Sequence, residues 1–176
     1  MTLSPAYRSA CASGDPSAVI LDTVELYHPA WPSIVRLVAD RADLTATLEA
    51  TAPNNPGASV LFTAFPMQVD MPRMGDGPQD GSVTISNATR LVMAILEAAD
   101  LSDTVPIRVI WRPYVSTDLT GPGITPPLKF SVKDISADGG RVIFRCGPVE
   151  FANKKFPRPS TGVYKPSAYP GLTERI

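Results

Sequence analysis

The chain has 176 residues and a net charge of −1, is 44 % hydrophobic and 19 % charged, and carries nineteen prolines and twelve glycines. Its length suits one domain with a substantial core, and its hydrophobic fraction excludes a disordered or fibrous class. The balanced charge offers no global attraction to nucleic acid or to an anionic membrane, and the prolines argue against a helix bundle, because proline breaks helix interiors but is tolerated at turns and strand edges.

The opening run MTLSPAYRSACASGDPSAV lacks a positive leader followed by an apolar stretch, so no signal peptide is expected. No apolar run is long enough to span a bilayer, and the expected site of synthesis and folding is the cytoplasm. Ser4 to Ser13 reads as a short helix with Ser4 as cap and Pro5 at the first helical position, stopped by Gly14-Asp15-Pro16. Val19 to Tyr27 reads as a strand, with Val24 and Leu26 on one face and Thr23 and Glu25 on the other. The turn His28-Pro29-Ala30-Trp31-Pro32 leads into a second strand, Ser33 to Asp40, in which Val35 and Leu37 oppose Arg36. These two strands form an antiparallel hairpin. Leu44 to Ala50 is a strand or a short helix.

After the loop Pro53-Asn54-Asn55-Pro56-Gly57, Val60 to Met71 alternates clearly, with Phe65, Met67, Val69 and Met71 on one side. Pro66 and Pro72 place this strand at a sheet edge. Arg73 to Gly81 reads as an exposed, mobile loop. Ser82 to Ser86 is a short strand with Val83 and Ile85 inward. Asn87 caps an amphipathic helix, Ala88 to Ala99, whose apolar face carries Leu91, Val92, Ile95, Leu96 and Ala99. In the strand Ile107 to Val115, Val109 and Trp111 point opposite to Arg108 and Arg112, and Trp111 is expected to pack on Leu91 and Ile95. Leu128 to Ile135 and Arg141 to Val149 form a second hairpin around Asp138-Gly139-Gly140. The domain runs from 1 to 151, and a proline- and aromatic-rich C-terminal arm follows from 152 to 176.

Catalytic signals are sparse. His28, the only histidine, reads as a surface or turn residue, and no nucleophile-elbow or phosphate-binding glycine motif is present. Cys11 and Cys146 read as two buried small side chains, and neither has a CxxC partner, so no metal site or cofactor is expected. Asp70, Asp76, Asp80, Asp100 and Asp103 read as solvating loop charges and a helix terminus. Lys154, Lys155, Arg158 and Lys165 interleave with Phe151, Phe156, Tyr164 and Tyr169. That pattern could contact nucleic acid. The interspersed prolines favour instead an extended arm along a neighbouring subunit, with Phe151, Phe156, Tyr164, Tyr169 and Leu172 as its contacts and Ile176 adding apolar surface.

The runs SPAYRSACASGDPSAVILDTVELYHPAW, LFTAFPMQVDMP and FPRPSTGVYKPSAYPGL together resemble a family of tailed-phage proteins known as domain of unknown function 1833. More loosely, the layout is similar to the N-terminal part of the lambda-type minor tail protein L. There, closely placed cysteines hold an iron–sulfur cluster, a pattern from which this sequence departs, so no cluster, metal ligand or catalytic residue is carried over. The resemblance implies a non-enzymatic structural protein of the virion, made in the host cytoplasm and placed in the tail tip or baseplate hub. The expected fold is mainly β, a tail-tube-like barrel or sandwich with one packed helix, the short N-terminal helix and the extended arm. It would form part of a ring, a trimer in preference to a hexamer, that continues the tail channel and binds distal tail, hub and tape-measure proteins. It would touch no membrane and read no nucleic-acid sequence, and Asp76 and Asp80 would repel passing DNA. The alternative is a tail module that binds a carbohydrate or protein on the host surface.

Overall fold

A computed structural model describes residues 2–13, 17–70, 80–86, 105–138 and 140–147. The architecture is mainly β. The first strand β1 (Thr2–Leu3) leads into helix α1 (Pro5–Ser13), and then come β2 (Ile20–Tyr27), β3 (Val35–Val38), β4 (Leu44–Thr47), β5 (Ser59–Ala64) and β6 (Met67–Asp70). They are followed by β7 (Gly81–Ile85), β8 (Arg108–Val115), β9 (Ile124–Thr125), β10 (Leu128–Asp138) and β11 (Arg141–Gly147). Nine of these strands form one sheet in the order β4-β5-β3-β2-β8-β10-β11-β7-β6, and β1 pairs separately with β9. All pairings are antiparallel except β3 with β5.

Alternation along the strands dictates how this sheet curls. The even positions Val24 and Leu26 of β2 and the odd positions Val35 and Leu37 of β3 share one apolar core with Val83, Ile85, Val109, Phe130, Val142 and Phe144, contributed from the far half of the sheet. Phe65, Met67 and Val69 pack against the same core, as the alternation of this stretch predicts. Strands distant in sheet order meet through their side chains only if the sheet bends round on itself. It does not close into a barrel among the described residues.

The sequence reads 60–71 as one strand, but the structure divides it at Phe65-Pro66. Proline has no N–H to give a ladder, and here the chain turns a corner instead. The Phe65 N–H donates to Val38 O at 2.9 Å, and Pro66 O accepts from Ser86 N at 2.9 Å. Two residues thus tie β3 to the end of β7, across the gap between the curled halves. The placement of β6 at the sheet edge agrees with the expectation from its prolines.

The other face of β2, β3 and β8 is covered as well. Leu21, Val38, Leu44, Ala46, Leu48, Ala52, Phe62 and Tyr114 form a second core beneath β4 and β5, with the Phe62 and Tyr114 rings tilted at 57° and 6.0 Å apart. Strand β2 is therefore buried on both faces, which is why Thr23 and Glu25 are as inaccessible as Val24. The open choice at 44–50 resolves to a strand over Leu44–Thr47.

Several other expectations meet the structure directly. The N-terminal helix spans Pro5–Ser13, with Ser4 Oγ accepting the Tyr7 N–H at 3.1 Å as a cap should. Tyr7 sits in the notch left by Gly123, where any Cβ would strike its ring. The helix buries no residue completely, so Cys11 is exposed and the expectation of two buried cysteines holds for Cys146 alone. Gly81, placed by sequence in a loop, opens β7 opposite Cys146. The second hairpin is longer on its first arm than expected, with a bulge at Lys133 and Gly140 at φ +84° in the turn. The helix proposed over 88–99, with Leu91 and Ile95, lies outside the described residues, as do Asp76, Phe151 and the arm from 152 to 176.

Phe144 is fully buried in the first core, whereas Leu61 on β5 is 56 % exposed. Phe144→Ala should lower the unfolding free energy by about 3–5 kcal/mol in urea titration. Leu61→Ala should stay within about 0.5 kcal/mol of the parent.

Candidate functional site

The densest chemistry among the described residues lies in the doubly covered wall of the sheet. In the β2–β3 register Glu25 stands directly opposite Arg36. In the β2–β8 register Thr23 faces Arg112, which places Glu25 and Arg112 on the same face as diagonal neighbours. Strand pairing alone thus brings one carboxylate between two guanidinium groups. Glu25 Oε2 accepts from Arg36 Nε at 3.1 Å and from Arg112 Nη1 at 3.3 Å.

The loop between β4 and β5 completes the set. Glu49 takes Arg112 in a fork, with Nε to Oε2 at 2.8 Å and Nη2 to Oε1 at 3.0 Å. This is the geometry in which guanidinium and carboxylate match best. Asn54 Nδ2 donates to the remaining Glu25 oxygen at 3.0 Å, and Asn55 Oδ1 accepts from Arg36 Nη2 at 2.9 Å. The loop is itself held by Glu49 O, which accepts from Ala52 N and Gly57 N. Its reversal uses positive φ at Asn55 and Gly57, residue types that tolerate it.

Two carboxylates and two guanidinium groups balance in charge, and Glu25 and Arg112 are fully buried. Burial alone would pull the Arg112 pKa down, but the Glu49 hydrogen bonds and the charges of Glu25 and Glu49 outweigh it and raise the value. Tyr114, beside this cluster, donates its hydroxyl to Thr47 O at 2.9 Å, and burial raises its pKa against the opposing pull of Arg112. Each of these groups spends its hydrogen-bonding capacity on another part of the chain. The arrangement locks a loop onto a sheet.

The sequence-predicted candidates are dispersed. His28 lies in its expected turn but is buried, 2 % exposed, and not on the surface. Its Nδ1 accepts the Ala30 N–H at 3.2 Å, which leaves Nε2 to donate to Val105 O at 3.0 Å. Both ring nitrogens therefore serve the turn. Cys146 alternates with Val142 and Phe144 as expected, and burial, with a contribution from Asp80, pushes its thiol up to about 12. Such a thiol is a poor nucleophile at neutral pH. Asp80 is exposed and accepts from Lys133 Nζ at 2.8 Å. Asp70 is exposed at the end of β6. An open cleft of about 600 Å³ beside the Phe65-Pro66 corner has Asp40 and Arg41 as its charged lining residues, and Asp40 Oδ1 accepts the Arg41 N–H.

Sequence reasoning did not single out the Glu25–Arg112–Glu49 cluster. The available signal was the set of opposite charges at matching positions of three strands. A second polar site is Asp22, whose carboxylate accepts the Trp111 Nε1–H at 3.0 Å on the face shared with Val24. Trp111 packs at the margin of the first core with Val109. Burial raises the Asp22 pKa above 3.8 despite that hydrogen bond. The Tyr7 hydroxyl is raised chiefly by burial, with Cys11 and Asp22 adding to the effect.

Arg112→Met should cost about 3–5 kcal/mol of stability, because it strands buried carboxylates. Arg112→Met combined with Glu49→Leu should recover most of that loss in urea unfolding, since Glu25 keeps Arg36 and Asn54. A double variant no more stable than the single one would refute the charge account. At Asp22 the native state binds the proton more tightly than the unfolded chain does. Its contribution to stability is therefore full below pH 3.8 and is lost as pH rises through the elevated native value. Asp22→Asn keeps the acceptor for Trp111 and removes the half-buried charge. Its melting temperature should exceed the parent's at pH 7 and show no gain at pH 3.

No curated protein matches the chain, and nothing supports the looser likeness to the minor tail protein L. The short helix from its second residue on, the His-Pro turn after β2 and the Phe-Pro-Met corner fall within one matched span, residues 6–160, and the chain belongs to the family described as Domain of unknown function (DUF1833).

Proposed function

We propose that this protein is a structural component of a tailed-phage tail tip or baseplate hub, part of a ring that continues the tail channel and binds neighbouring tail proteins. The observation that carries the reading is a contrast within the chain. The ionisable side chains buried in the sheet wall bind one another and fasten a loop, as a scaffold requires, while the C-terminal residues 152–176 are rich in proline, aromatic and cationic residues. A rigid body with an adhesive arm suits assembly. The likeness of the opening and closing motifs to tailed-phage proteins supports the same reading.

The partners on this reading are other tail proteins and further copies of the chain, a trimer in preference to a hexamer. The contact residues are Phe151, Phe156, Tyr164, Tyr169 and Leu172. Asp76 would lie along the channel, whereas Asp80 has its charge offset locally by Lys133.

Deleting residues 152–176 should leave the two cores and the charge cluster intact, because all their members lie upstream. The truncated protein should fold, with thermal unfolding within a few degrees of the parent, and particles made with it should lack the protein. Normal incorporation of the truncated chain would overturn the arm's role in assembly.

A further inference from the structure

We infer that the outer edge of β6 is a contact surface for a second copy of this chain, the two β6 strands pairing antiparallel about a two-fold axis at Gln68. β6 ends the sheet, and no described strand lies beyond it. The Ser86 N–H donates to Pro66 O at 2.9 Å, which makes Pro66 and Ser86 a hydrogen-bonded pair of the β6–β7 ladder. Such pairs alternate along an antiparallel ladder. The register from Met67↔Ile85 to Asp70↔Ser82 is unbroken, so Gln68 and Asp70 spend their backbone groups on β7. Met67 and Val69 turn theirs outward. The opposite end of the sheet is covered, for the Thr47 N–H of β4 donates to Leu119 O at 3.0 Å and the Tyr114 hydroxyl donates to Thr47 O at 2.9 Å.

An open row of backbone donors and acceptors is complementary to another extended strand. β6 is its own complement. Centred on Gln68, Met67 of each copy faces Val69 of the other, and the two pairs exchange four backbone hydrogen bonds. The side chains match in this register. Partly buried Met67 and Val69 meet on the core side, and exposed Gln68 meets its counterpart on the solvent side. A slip by one residue would mix the two faces. A slip by two toward the corner would call on the Phe65 N–H, which already donates to Val38 O.

Charge favours the same partner. The pairing sets Asp70 of each copy opposite Pro66 of the other, and Pro66 lines the cleft that also holds Asp40 and Arg41. Asp40 Oδ1 is engaged by the Arg41 N–H, whereas the exposed Arg41 side chain belongs to none of the ion pairs among the described residues. Asp70 is exposed as well and accepts from Gln68 of its own strand at 3.0 and 3.2 Å. A guanidinium and a carboxylate are thus brought to one rim twice, once on either side of the axis. A four-residue edge makes a small contact, and small contacts are weak and reversible. This one belongs to the isolated chain and is independent of any place in a phage tail.

Sedimentation equilibrium of the full chain over a concentration series should show a monomer in exchange with a dimer. The Met67 and Val69 amides should exchange freely in dilute solution and slow as the dimer forms, whereas the Gln68 amide, bonded to β7, should be protected throughout. Val69→Pro removes a donor that points away from β7, so the fold should survive. It deletes two of the four bonds between copies and should weaken the dimer by about tenfold or more. Arg41→Asp and Asp70→Arg should each weaken the dimer, and the two together in one chain should restore it. A chain that stays monomeric throughout, an oligomer that Val69→Pro leaves intact, Met67 and Val69 amides already slow in dilute solution, or a paired charge reversal that restores nothing would overturn the contact.

Discussion

The fork between Arg112 and Glu49, with Glu25 as the second partner of the arginine, is the constraint on which the rest of the fold depends. A guanidinium placed in the interior of a sheet wall is tolerable only when carboxylates meet it with good geometry, because the effective desolvation cost is several kcal/mol per ion. One carboxylate comes from the neighbouring strand and is delivered by register. The other must come from elsewhere, and the loop after β4 brings it. The cluster therefore demands that β4, β5 and the 48–58 loop lie over β2, β3 and β8. A one-residue slip of β2 would turn Glu25 into the apolar core and Val24 toward Arg112. Apolar burial alone would tolerate such a slip far better than the charges do.

Two cores then follow from one sheet. The strands β2, β3 and β8 serve as a shared wall, apolar on the side facing β7 and β11 and mixed on the side facing β5. The curl that encloses the first core leaves a gap between β3 and β7, and Phe65-Pro66 spans it with two backbone hydrogen bonds. A proline suits this corner because the chain must leave one ladder before it joins the next. The parallel pairing of β5 covers Leu37 and Val38 only, after which β5 diverges over the outer face. Through that divergence Phe62 meets Tyr114 and the second core forms.

Much of this was legible in the sequence wherever side-chain period and turn chemistry agree. The helix at Pro5–Ser13, the hairpin around His28–Pro32, the inward Val83 and Ile85, and the alternation of Val142, Phe144 and Cys146 all follow from local rules. What was not legible depends on non-local cover. Arg36 and Arg112 look like the polar side of half-exposed strands until the β4–β5 unit is laid over them, and no local pattern announces that unit. His28 looks like a turn residue and is one, but its burial depends on Val105, 77 residues away. Cys11 fails in the opposite sense. The general preference of cysteine for the interior suggests a buried thiol, yet the helix buries no residue completely and leaves the thiol exposed.

The distribution of polar groups bears on function through what it leaves over. The ionisable groups of the sheet wall are satisfied within the chain, and those of the described surface are scattered or, like Asp80 and Lys133, paired with one another. In the structural role proposed above, the use of such a cluster would be to fix one strand register and one loop position, since breaking it strands a buried charge. The same end of the sheet releases both the 71–79 connection, after Asp70, and the segment that follows Gly147, for Asp70 pairs with Ser82 and Ser82 with Arg145.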